Sequence, residues 1–340
     1  MAAAEFVNPV LVEVLRGTLV ECRHRGAAAV AAPGGVAACW GDVARPVYAR
    51  SAIKPLQALP LVETGAADRF RLDDSHLALA CASHNGEPVH VEVARAWLSH
   101  LGLGPADLRC GTHAPIHAGA AAELVRAGSE PSPLHNNCSG KHCGFLSTAI
   151  HRGERIADYV AADHPAQRRW IETLSELAGE STDAAPRGID GCGIPVVGTS
   201  LRGLALAMAR LATGAGMTAK RATAAARLRA AMAARPELVA GTERFCSVVM
   251  RAIAPRALIK IGAEGVYCAA LPERGLGIAL KIDDGAERAA EVAMGALLRH
   301  FGAVPPEIEA SLHSRFVPAL RNRAGAVVGA VRPADGWPAS

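Results

Sequence analysis

The sequence has few aromatic residues, few lysines and no run of like charge. Phe, Trp and Tyr together make up 4% of the 340 residues, so Ala, Val and Leu must fill the core. Half of the residues are hydrophobic and 20% are charged, which is typical of a globular protein and excludes a disordered or fibrous chain. The net charge of +4 is small and dispersed, so we expect no nucleic-acid partner.

Long apolar runs are also missing. No stretch approaches the roughly 18 uninterrupted apolar residues of a membrane span, and charged residues interrupt the N-terminal region. We therefore expect a soluble, cytoplasmic protein with no membrane partner. The nine cysteines are odd in number and scattered, which argues against a disulfide framework. In a reducing compartment most of them should be buried small residues, and any exceptions should bind metal or take part in catalysis.

Lysine is much rarer than arginine. Lys and Arg total 36, but only five are lysine: Lys54, Lys141, Lys220, Lys260 and Lys281. Arginine keeps its proton in proteins, whereas a desolvated lysine can lose it. A lysine retained against this bias is a candidate for chemistry that arginine cannot perform. Lys220, within an Ala- and Arg-rich predicted helix, is the exception, and we expect it to be an ordinary surface residue.

Strand patterns lie at both ends of the chain, and helical patterns lie between them. The predicted strands are 10–15, 19–24, 27–32, 257–261, 265–271, 277–282 and 326–331, and the turn at 33–35 is predicted to end the first group. The predicted helices are 74–81, 88–101, 165–177, 201–211, 220–234, 244–253 and 287–301. This order differs from the alternation of a doubly wound parallel sheet. It predicts an α+β fold (α/β in the broad sense), with an antiparallel sheet from both termini, flanking helices and a helical insert.

The expected organisation is a single domain, residues 1–340, with two intermingled lobes. The sheet lobe is predicted over roughly 1–60 and 255–340, and the mainly helical lobe over roughly 61–254. No internal repeat or low-complexity linker separates them.

A Ser-x-x-Lys motif, Ser51 to Lys54, occurs where the first helical pattern begins. Residues three apart in a helix lie on one face, so a deprotonated Lys54 could take the proton of the Ser51 hydroxyl. Its pKa would have to fall from about 10.4 toward about 7–8. By itself the motif is common and can arise by chance.

Two further short motifs follow in the sequence. Ser83 and Asn85 are two apart on a predicted loop, where a hydroxyl and an amide can point into one pocket. Lys260 lies two residues before Gly262 on an apolar strand, and glycine there permits the close approach of a ligand or another backbone. Taken singly, these patterns fit a plain helix terminus and a charged edge strand. In this order, the three motifs resemble the signature of the penicillin-recognising serine hydrolases, whose layout is the one predicted above.

Two glycine-bounded cysteine segments, 135–143 and 188–193, could hold zinc. Cys138 and Cys192 are the first choices as ligands. The set could be completed by His135, Lys141, His142 or Cys143. Lysine ranks last on the pattern alone, because a proton competes for its free amine. The alternative is a pair of buried thiols beside glycine turns.

Together, these segments resemble the class 3 L-asparaginases, the Rhizobium etli type. The residues that carry the resemblance are 50–55, 81–87, 135–142 and 191–193, and it extends over nearly the whole chain. The resemblance implies a fold similar to serine β-lactamases and penicillin-binding proteins, a homodimer, and hydrolysis of L-asparagine to L-aspartate and ammonia.

The resemblance also implies roles for individual residues. It pairs Ser51, as nucleophile, with Lys54, and it pairs Ser83, as a proton relay, with Lys260. It implies a zinc cofactor that aids substrate binding, held by Cys138, Lys141 and Cys192. The expected substrate-binding residues are Arg50, His84, Asn85 and Asp190. Arg50 would face the α-carboxylate, and Asp190 would touch the substrate or support the zinc ligands.

Three other functions remain open at this point. One is a glutaminase or another small-amide hydrolase on the same scaffold. Another is a cytoplasmic relative of β-lactamases or peptidases, which penicillin would acylate at Ser51. The last is a zinc-stabilised binding protein without turnover, which would bind zinc and ligand but release no product.

Overall fold

The computed structural model describes residues 7–339, which form eleven strands and fourteen α-helices. The strands are β1 Val10–Arg16, β2 Leu19–Ala32, β3 Gly35–Trp40, β4 Pro46–Tyr48, β5 Arg187–Ile189, β6 Pro195–Ser200, β7 Leu258–Ile261, β8 Val266–Leu271, β9 Leu276–Ile282, β10 Ala319–Arg321 and β11 Val327–Pro333.

The helices lie mainly in the middle of the chain. They are α1 Lys54–Gln57, α2 Leu59–Glu63, α3 Ala66–Arg69, α4 Asp74–Ala80, α5 Pro88–His100, α6 Ala118–Arg126, α7 Ser139–Arg152, α8 Pro165–Ala178, α9 Leu201–Thr213, α10 Ala219–Ala234, α11 Pro236–Val239, α12 Phe245–Ile253, α13 Glu287–His300 and α14 Pro306–Phe316. None of the helices within residues 7–339 has both the length and the hydropathy that a membrane span requires.

The chain divides into two compact units. Unit 1 contains the residues up to Ala52, the segment Thr199–Thr213 and the residues from Ala252 onward. Unit 2 contains Ile53–Gly198 and Gly214–Arg251. Each unit therefore consists of segments that are distant in sequence.

Unit 1 is built on an antiparallel sheet. Its strand order is β10-β11-β1-β2-β9-β8-β7, and β3 pairs with β2 beside this path. The register joins the two ends of the chain, since Val12 of β1 lies opposite Pro333 of β11. The predicted α+β class, with an antiparallel sheet built from both termini, is confirmed.

Small residues let a helix pack closely on this sheet. In β2, the run Ala27–Ala31 is buried without interruption, and α9 lies against β2, β8 and β9. A Cβ on Gly277 of β9 would overlap the carbonyl oxygen of Ala205 in α9. Alanine and glycine thus replace bulky aromatic side chains at this interface, as the composition requires.

Unit 2 is largely helical, and its helix ends follow the sequence signals. The Asp73 carboxylate caps α4 by accepting the N–H of Ser75 (3.0 Å) and of His76 (3.2 Å). Pro88 is the first residue of α5, a position where its missing N–H costs no hydrogen bond. A Cβ on Gly140 of α7 would overlap the carbonyl oxygen of Leu79 in α4. Glycine at this position lets the start of α7 approach the end of α4.

Several predicted boundaries differ from the structure. The two strands expected over 19–24 and 27–32 form one strand, β2, and the turn at 33–35 leads into β3 instead of ending the sheet. Helix α7 occupies a segment for which the sequence predicted no helix. Eleven of its fourteen residues are buried, and five of these are polar, so the hydrophobic pattern does not mark the buried face.

Candidate active site

Lys54 is fully buried at the start of α1, and its amine has three hydrogen-bond partners. The Nζ atom lies 2.5 Å from the carbonyl oxygen of Ala82 and 3.0 Å from that of Asn137. It lies 3.0 Å from Oγ of Ser83. Ala82 and Ser83 directly follow the end of α4, and Asn137 precedes α7. The close packing of α4 and α7 therefore places these partners around one amine.

The partners of Lys54 suit a lysine that exchanges a proton. A neutral amine has two N–H groups, which match the two carbonyls, and its lone pair then faces the Ser83 hydroxyl. A charged ammonium group instead donates to all three. Burial lowers the pKa of Lys54, and the charge of Lys141 lowers it further, although the Cys138 thiolate acts in the opposite direction. The sequence-based mechanism required a lowered pKa at this position.

Ser51 and Lys260 both belong to unit 1. Ser51 lies in the 3-10 turn Arg50–Ile53, directly after Arg50, whose φ of 51° is in the left-handed region that non-glycine residues seldom adopt. A Cβ on Gly262 would lie 2.7 Å from the carbonyl oxygen of Ala49, so the chain just after β7 passes close to the residues before Ser51.

The position of Lys260 does not suit a protective edge charge. Although β7 ends the strand order of unit 1, Lys260 is fully buried and donates Nζ to the carbonyl of Ile261 at 2.9 Å. A charge that prevents sheet aggregation must reach solvent. The buried amine instead lies within unit 1, where Gly262 brings the chain near Ala49.

The loop after Ser83 has one side chain with two hydrogen bonds, His84, and one with an unpartnered oxygen, Asn85. The His84 ring accepts the N–H of Gly86 through Nδ1 (3.2 Å), so its proton is on Nε2, which donates to Oγ of Ser139 (2.9 Å). Asn85 is 2% exposed, yet no group within residues 7–339 hydrogen-bonds to its Oδ1 atom. Such an unpartnered buried oxygen is costly unless a ligand satisfies it.

Cys138, Lys141 and Cys192 come together in unit 2. Cys138 precedes α7, Lys141 lies in its first turn, and Cys192 lies on the turn between β5 and β6. The Nζ atom of Lys141 is 3.0 Å from Sγ of Cys192, and the thiols of Cys138 and Cys192 are close enough to influence each other's pKa. All three side chains are buried.

The charges of this cluster follow from its geometry. The hydrogen bond with Cys192 and the nearby lysine charges hold the pKa of Cys138 well below its ordinary value, against the effect of burial. Burial lowers the pKa of Lys141, but the sulfurs of Cys138 and Cys192 outweigh it and raise that pKa. The same hydrogen bond, together with burial, raises the pKa of the Cys192 thiol.

This donor set fits a zinc ion. Two sulfurs and one nitrogen converge, and a bound cation replaces the protons that the sulfurs and the amine otherwise hold. Within residues 7–339, no group of three His, Cys, Asp or Glu side chains could hold a metal, so the fit depends on Lys141. Asp190 adds a nearby negative charge that also raises the pKa of Lys141.

The other candidates that the sequence offered as ligands make different contacts. Nδ1 of His142 is 2.6 Å from the Tyr159 hydroxyl, and Nδ1 of His135 accepts the N–H of Ser132 at 3.0 Å. Cys143 is fully buried in α7, and burial raises the pKa of its thiol. Lys141, which the pattern alone ranked last, is the side chain that lies beside Cys192.

Sequence reasoning missed the backbone acceptors of this region. The carbonyls of Ala82 and Asn137 hold the Lys54 amine, but a carbonyl carries no signal in the residue type. It also missed Ser139, whose hydroxyl accepts the Nε2–H of His84. Only the Ser-Gly-Lys sequence at 139–141, at the start of a helix, could have drawn attention to it.

Comparisons with solved structures give distant likenesses. A β-lactamase from Mycobacterium bovis is 16% identical, with a TM-score of 0.43 over 81% of this chain and 94% of that one. A class C β-lactamase from Rhodobacter sphaeroides is 15% identical, with a TM-score of 0.44 over 81% and 94%. A D-alanine carboxypeptidase from Burkholderia cenocepacia is 13% identical, with a TM-score of 0.40 over 78% and 90%.

These TM-scores are modest, and the fold assignment therefore rests on the sheet topology described above. No curated protein matches the chain significantly. A family model gives the decisive match, because the L-asparaginase II model covers residues 12–333, nearly the whole chain. The protein is an asparaginase-type amidohydrolase and belongs to the L-asparaginase II family.

Proposed function

We propose that the protein hydrolyses L-asparagine to L-aspartate and ammonia through an acyl-enzyme on a serine activated by lysine. Membership of the L-asparaginase II family supports the amide hydrolysis. The observation that carries the choice of chemistry is the buried Lys54 amine, held by two carbonyls and 3.0 Å from the Ser83 hydroxyl. A desolvated amine in such a setting can accept and return a proton near neutral pH.

In the proposed reaction, Ser51 attacks the side-chain amide carbon, and its hydroxyl proton passes to Lys54. The carbon–nitrogen bond then breaks, and the lysine network returns a proton to the leaving nitrogen, so that ammonia departs. Water next attacks the β-aspartyl ester, and the Ser51 oxygen recovers its proton. Ser83 relays protons between these groups together with Lys260. Backbone N–H groups of Ser51 and of the Lys260 strand stabilise the developing oxyanion.

A second assignment makes Ser83 the nucleophile. The contact between Nζ of Lys54 and Oγ of Ser83 favours it, because the base must lie within hydrogen-bond reach of the proton that it removes. To decide between the two, we would measure the mass of the covalent adduct in Ser51→Ala and in Ser83→Ala. If Ser51 is the nucleophile, Ser51→Ala forms no adduct and loses turnover while remaining folded. An adduct in folded Ser51→Ala assigns the role to Ser83.

Four residues are proposed to recognise the substrate. The Arg50 guanidinium would bind the α-carboxylate, because its planar donors match two carboxylate oxygens. Asn85 offers an unpartnered amide oxygen to the side-chain amide of asparagine. Asp190 supplies negative charge near Lys141 and touches the substrate or supports the zinc ligands. His84, whose ring is engaged by Gly86 and Ser139, contributes by fixing the loop that carries Asn85.

We further propose that Cys138, Lys141 and Cys192 hold zinc, which when bound would supply a Lewis acid that aids substrate binding. Metal analysis of the purified protein should give about one zinc per chain. The double variant Cys138→Ala/Cys192→Ala should lose the zinc, whereas Cys143→Ala, a buried thiol outside the set, should keep it. Full zinc content in the double variant would refute the assignment.

The proposed homodimer is tested by the molar mass from light scattering.

The direct test of the proposed function is ammonia release from L-asparagine, with L-glutamine measured in parallel. Fast release from asparagine and slow release from glutamine supports the proposal, and the reverse preference indicates a glutaminase. Acylation by penicillin indicates a β-lactamase-like or peptidase-like activity. A folded protein that binds zinc and asparagine but releases no ammonia is a binding protein without turnover.

A further inference from the structure

The segment 236–242 in unit 2 runs beside the loop 83–90, which carries Ser83 and Asn85. The two segments are joined at three hydrogen bonds. The N–H of Ser83 donates to the carbonyl of Val239 (2.9 Å), that of Thr242 donates to the Glu87 carboxylate (2.8 Å), and Nε2 of His90 donates to the carbonyl of Glu237 (3.0 Å). We call residues 236–242 the brace, because they support the loop along its length.

One buried serine fixes both ends of the brace. Oγ of Ser247, in α12, accepts the N–H of Gly241 at 3.1 Å and donates to the carbonyl of Pro236 at 2.8 Å. Ser247 is fully buried, so water does not compete for these bonds. The brace therefore has a defined conformation before it contacts the loop.

Gly241 is the point at which the brace meets the Asn85 side chain. Its φ of +116° is a conformation that only glycine adopts readily. A Cβ added there would overlap Oδ1 and Cγ of Asn85 and would lie 2.5 Å from Nδ2. The amide of Asn85 occupies its place only because this residue has no side chain.

The orientation of the Asn85 amide matters because its Oδ1 atom is a bare acceptor. The side-chain amide of asparagine can donate an N–H to it. The side-chain carboxylate of aspartate has only acceptors at neutral pH. It therefore cannot donate to Oδ1 of Asn85, and the negative oxygens repel each other. An acceptor at this place therefore favours the amide substrate over the carboxylate product.

We propose that Gly241, held by the brace and Ser247, is a positioning residue that fixes the Asn85 amide and thereby sets the preference for asparagine over aspartate. This inference rests on the proposed function, in which Asn85 binds the substrate. Neither Gly241 nor Ser247 touches the substrate in this account, since both act through Asn85.

The test compares Gly241→Ala with Gly102→Ala. Gly102 also has a positive φ, +72°, but nothing lies within 4 Å of a Cβ built on it. Both variants therefore place alanine at a positive φ, and only Gly241→Ala displaces Asn85. We expect Gly241→Ala to raise KM for L-asparagine about tenfold relative to the inhibition constant for L-aspartate. Gly102→Ala should leave that ratio at the wild-type value. An unchanged ratio in folded Gly241→Ala overturns the proposal.

Ser247→Ala provides a second variant with its own control. Ser147 is also fully buried, accepts Nε1–H of Trp97 (2.9 Å) and donates to the carbonyl of Cys143 (2.9 Å). Each substitution therefore removes two buried hydrogen bonds, but only Ser247→Ala loosens the brace. We expect the asparagine-to-aspartate ratio to move in Ser247→Ala and to stay constant in Ser147→Ala. A shift of the same size in both variants overturns the role of Ser247.

Hydrogen exchange separates this inference from the proposed function. If the wild-type protein releases no ammonia from asparagine, the proposed function fails, but the brace can still be judged. Amide exchange over residues 83–90 should then be faster in Gly241→Ala than in Gly102→Ala. Equal exchange in the two variants overturns the positioning role, whatever the activity.

Discussion

Three of the five lysines are buried side chains with identified partners. Lys54 lies against two carbonyls and a hydroxyl, Lys141 beside Cys192, and Lys260 donates to the carbonyl of Ile261. Lys220, expected on the surface, is exposed. Burying an ammonium group is costly, so these positions require acceptors or a lowered pKa. In a chain that otherwise uses arginine for positive charge, lysine is thus retained mainly where the side chain is buried.

Buried histidines predict a loss of stability in mild acid. Burial, helped by the charges of His90 and Lys54 and by those of His113 and His135, holds the pKa of His84 well below its usual value. The unfolded chain gains a proton at about pH 6.5 that folded His84 does not take up. Stability therefore rises with pH across this window and falls as the pH drops below about 6.5.

The slope should reach about 1.4 kcal/mol per pH unit for each such histidine. Burial lowers the pKa of His90 and His142 in the same direction. Free energies of unfolding from urea titrations, between about pH 5 and about pH 8, should show a shallower slope in His84→Gln than in the wild type. Equal slopes would mean that His84 is protonated in the folded state.

At the scale of the element, helix and strand ends were predictable where a capping residue, a proline or a turn glycine marks them in the sequence. Asp73 caps α4, Pro88 begins α5, and the glycines between β7, β8 and β9 mark their turns. Helix α7 was not predictable, because Ser139, Lys141 and His142 are polar yet buried. Their burial depends on partners from distant segments, and no periodicity records it.

The site was predictable only in part for the same reason. The short motifs identified Ser51, Lys54, Ser83 and Lys260 as candidates, but not the contact of Lys54 with Ser83, which lie 29 residues apart in sequence. The preference of zinc for sulfur identified Cys138 and Cys192. The third proposed ligand, Lys141, ranked last among four candidates on the pattern and was selected by the resemblance, because its amine becomes a suitable ligand only when two sulfurs already lie beside it.

The close contact of α4 and α7 predicts opposite effects for two glycines of one helix. A Cβ on Gly140 would overlap the Leu79 carbonyl, whereas a Cβ on Gly144 would lie 3.5 Å from Leu61, an ordinary contact. Gly140→Ala should lower the free energy of unfolding by about 3 kcal/mol or more. Gly144→Ala should be neutral or add up to about 1 kcal/mol, because alanine favours the helix.

Urea denaturation of both variants measures the difference. Gly140→Ala should also lose activity, because the start of α7 carries Lys141 and follows Asn137. Equal stability of the two variants would show that α7 can move away from α4 without cost.

At the scale of the whole molecule, the chain passes between the two units several times. Helix α9 lies in the shortest segment of unit 1, Thr199–Thr213, and residues 53–198 and 214–251 on either side of this segment belong to unit 2. Leu204, Met208 and Leu211 of α9 are buried, and the helix packs on β2, β8 and β9. Any continuous fragment that contains all of unit 2 therefore also contains α9, but it does not contain the strands on which α9 packs.

This arrangement predicts that the fragment 53–251 aggregates. It contains α9 but lacks β2, β8 and β9, so the apolar face of the helix meets solvent. Replacing Leu204, Met208 and Leu211 with serine in the fragment should reduce the aggregation, as gel filtration would show. The same replacements at Leu228 and Met232, buried in α10 within unit 2, should not improve it. A monomeric, unsubstituted fragment would contradict the prediction.

The pairing of β1 with β11 has a consequence for synthesis on the ribosome. Val12 lies opposite Pro333, so β1 is synthesised long before its partner β11. At roughly 5–20 residues per second, this delay is on the order of tens of seconds. During that time one edge of β1 has unpaired backbone groups, whereas all segments of unit 2 have been synthesised once Arg251 is added. A nascent chain of this protein should therefore bind chaperones until β11 leaves the ribosome.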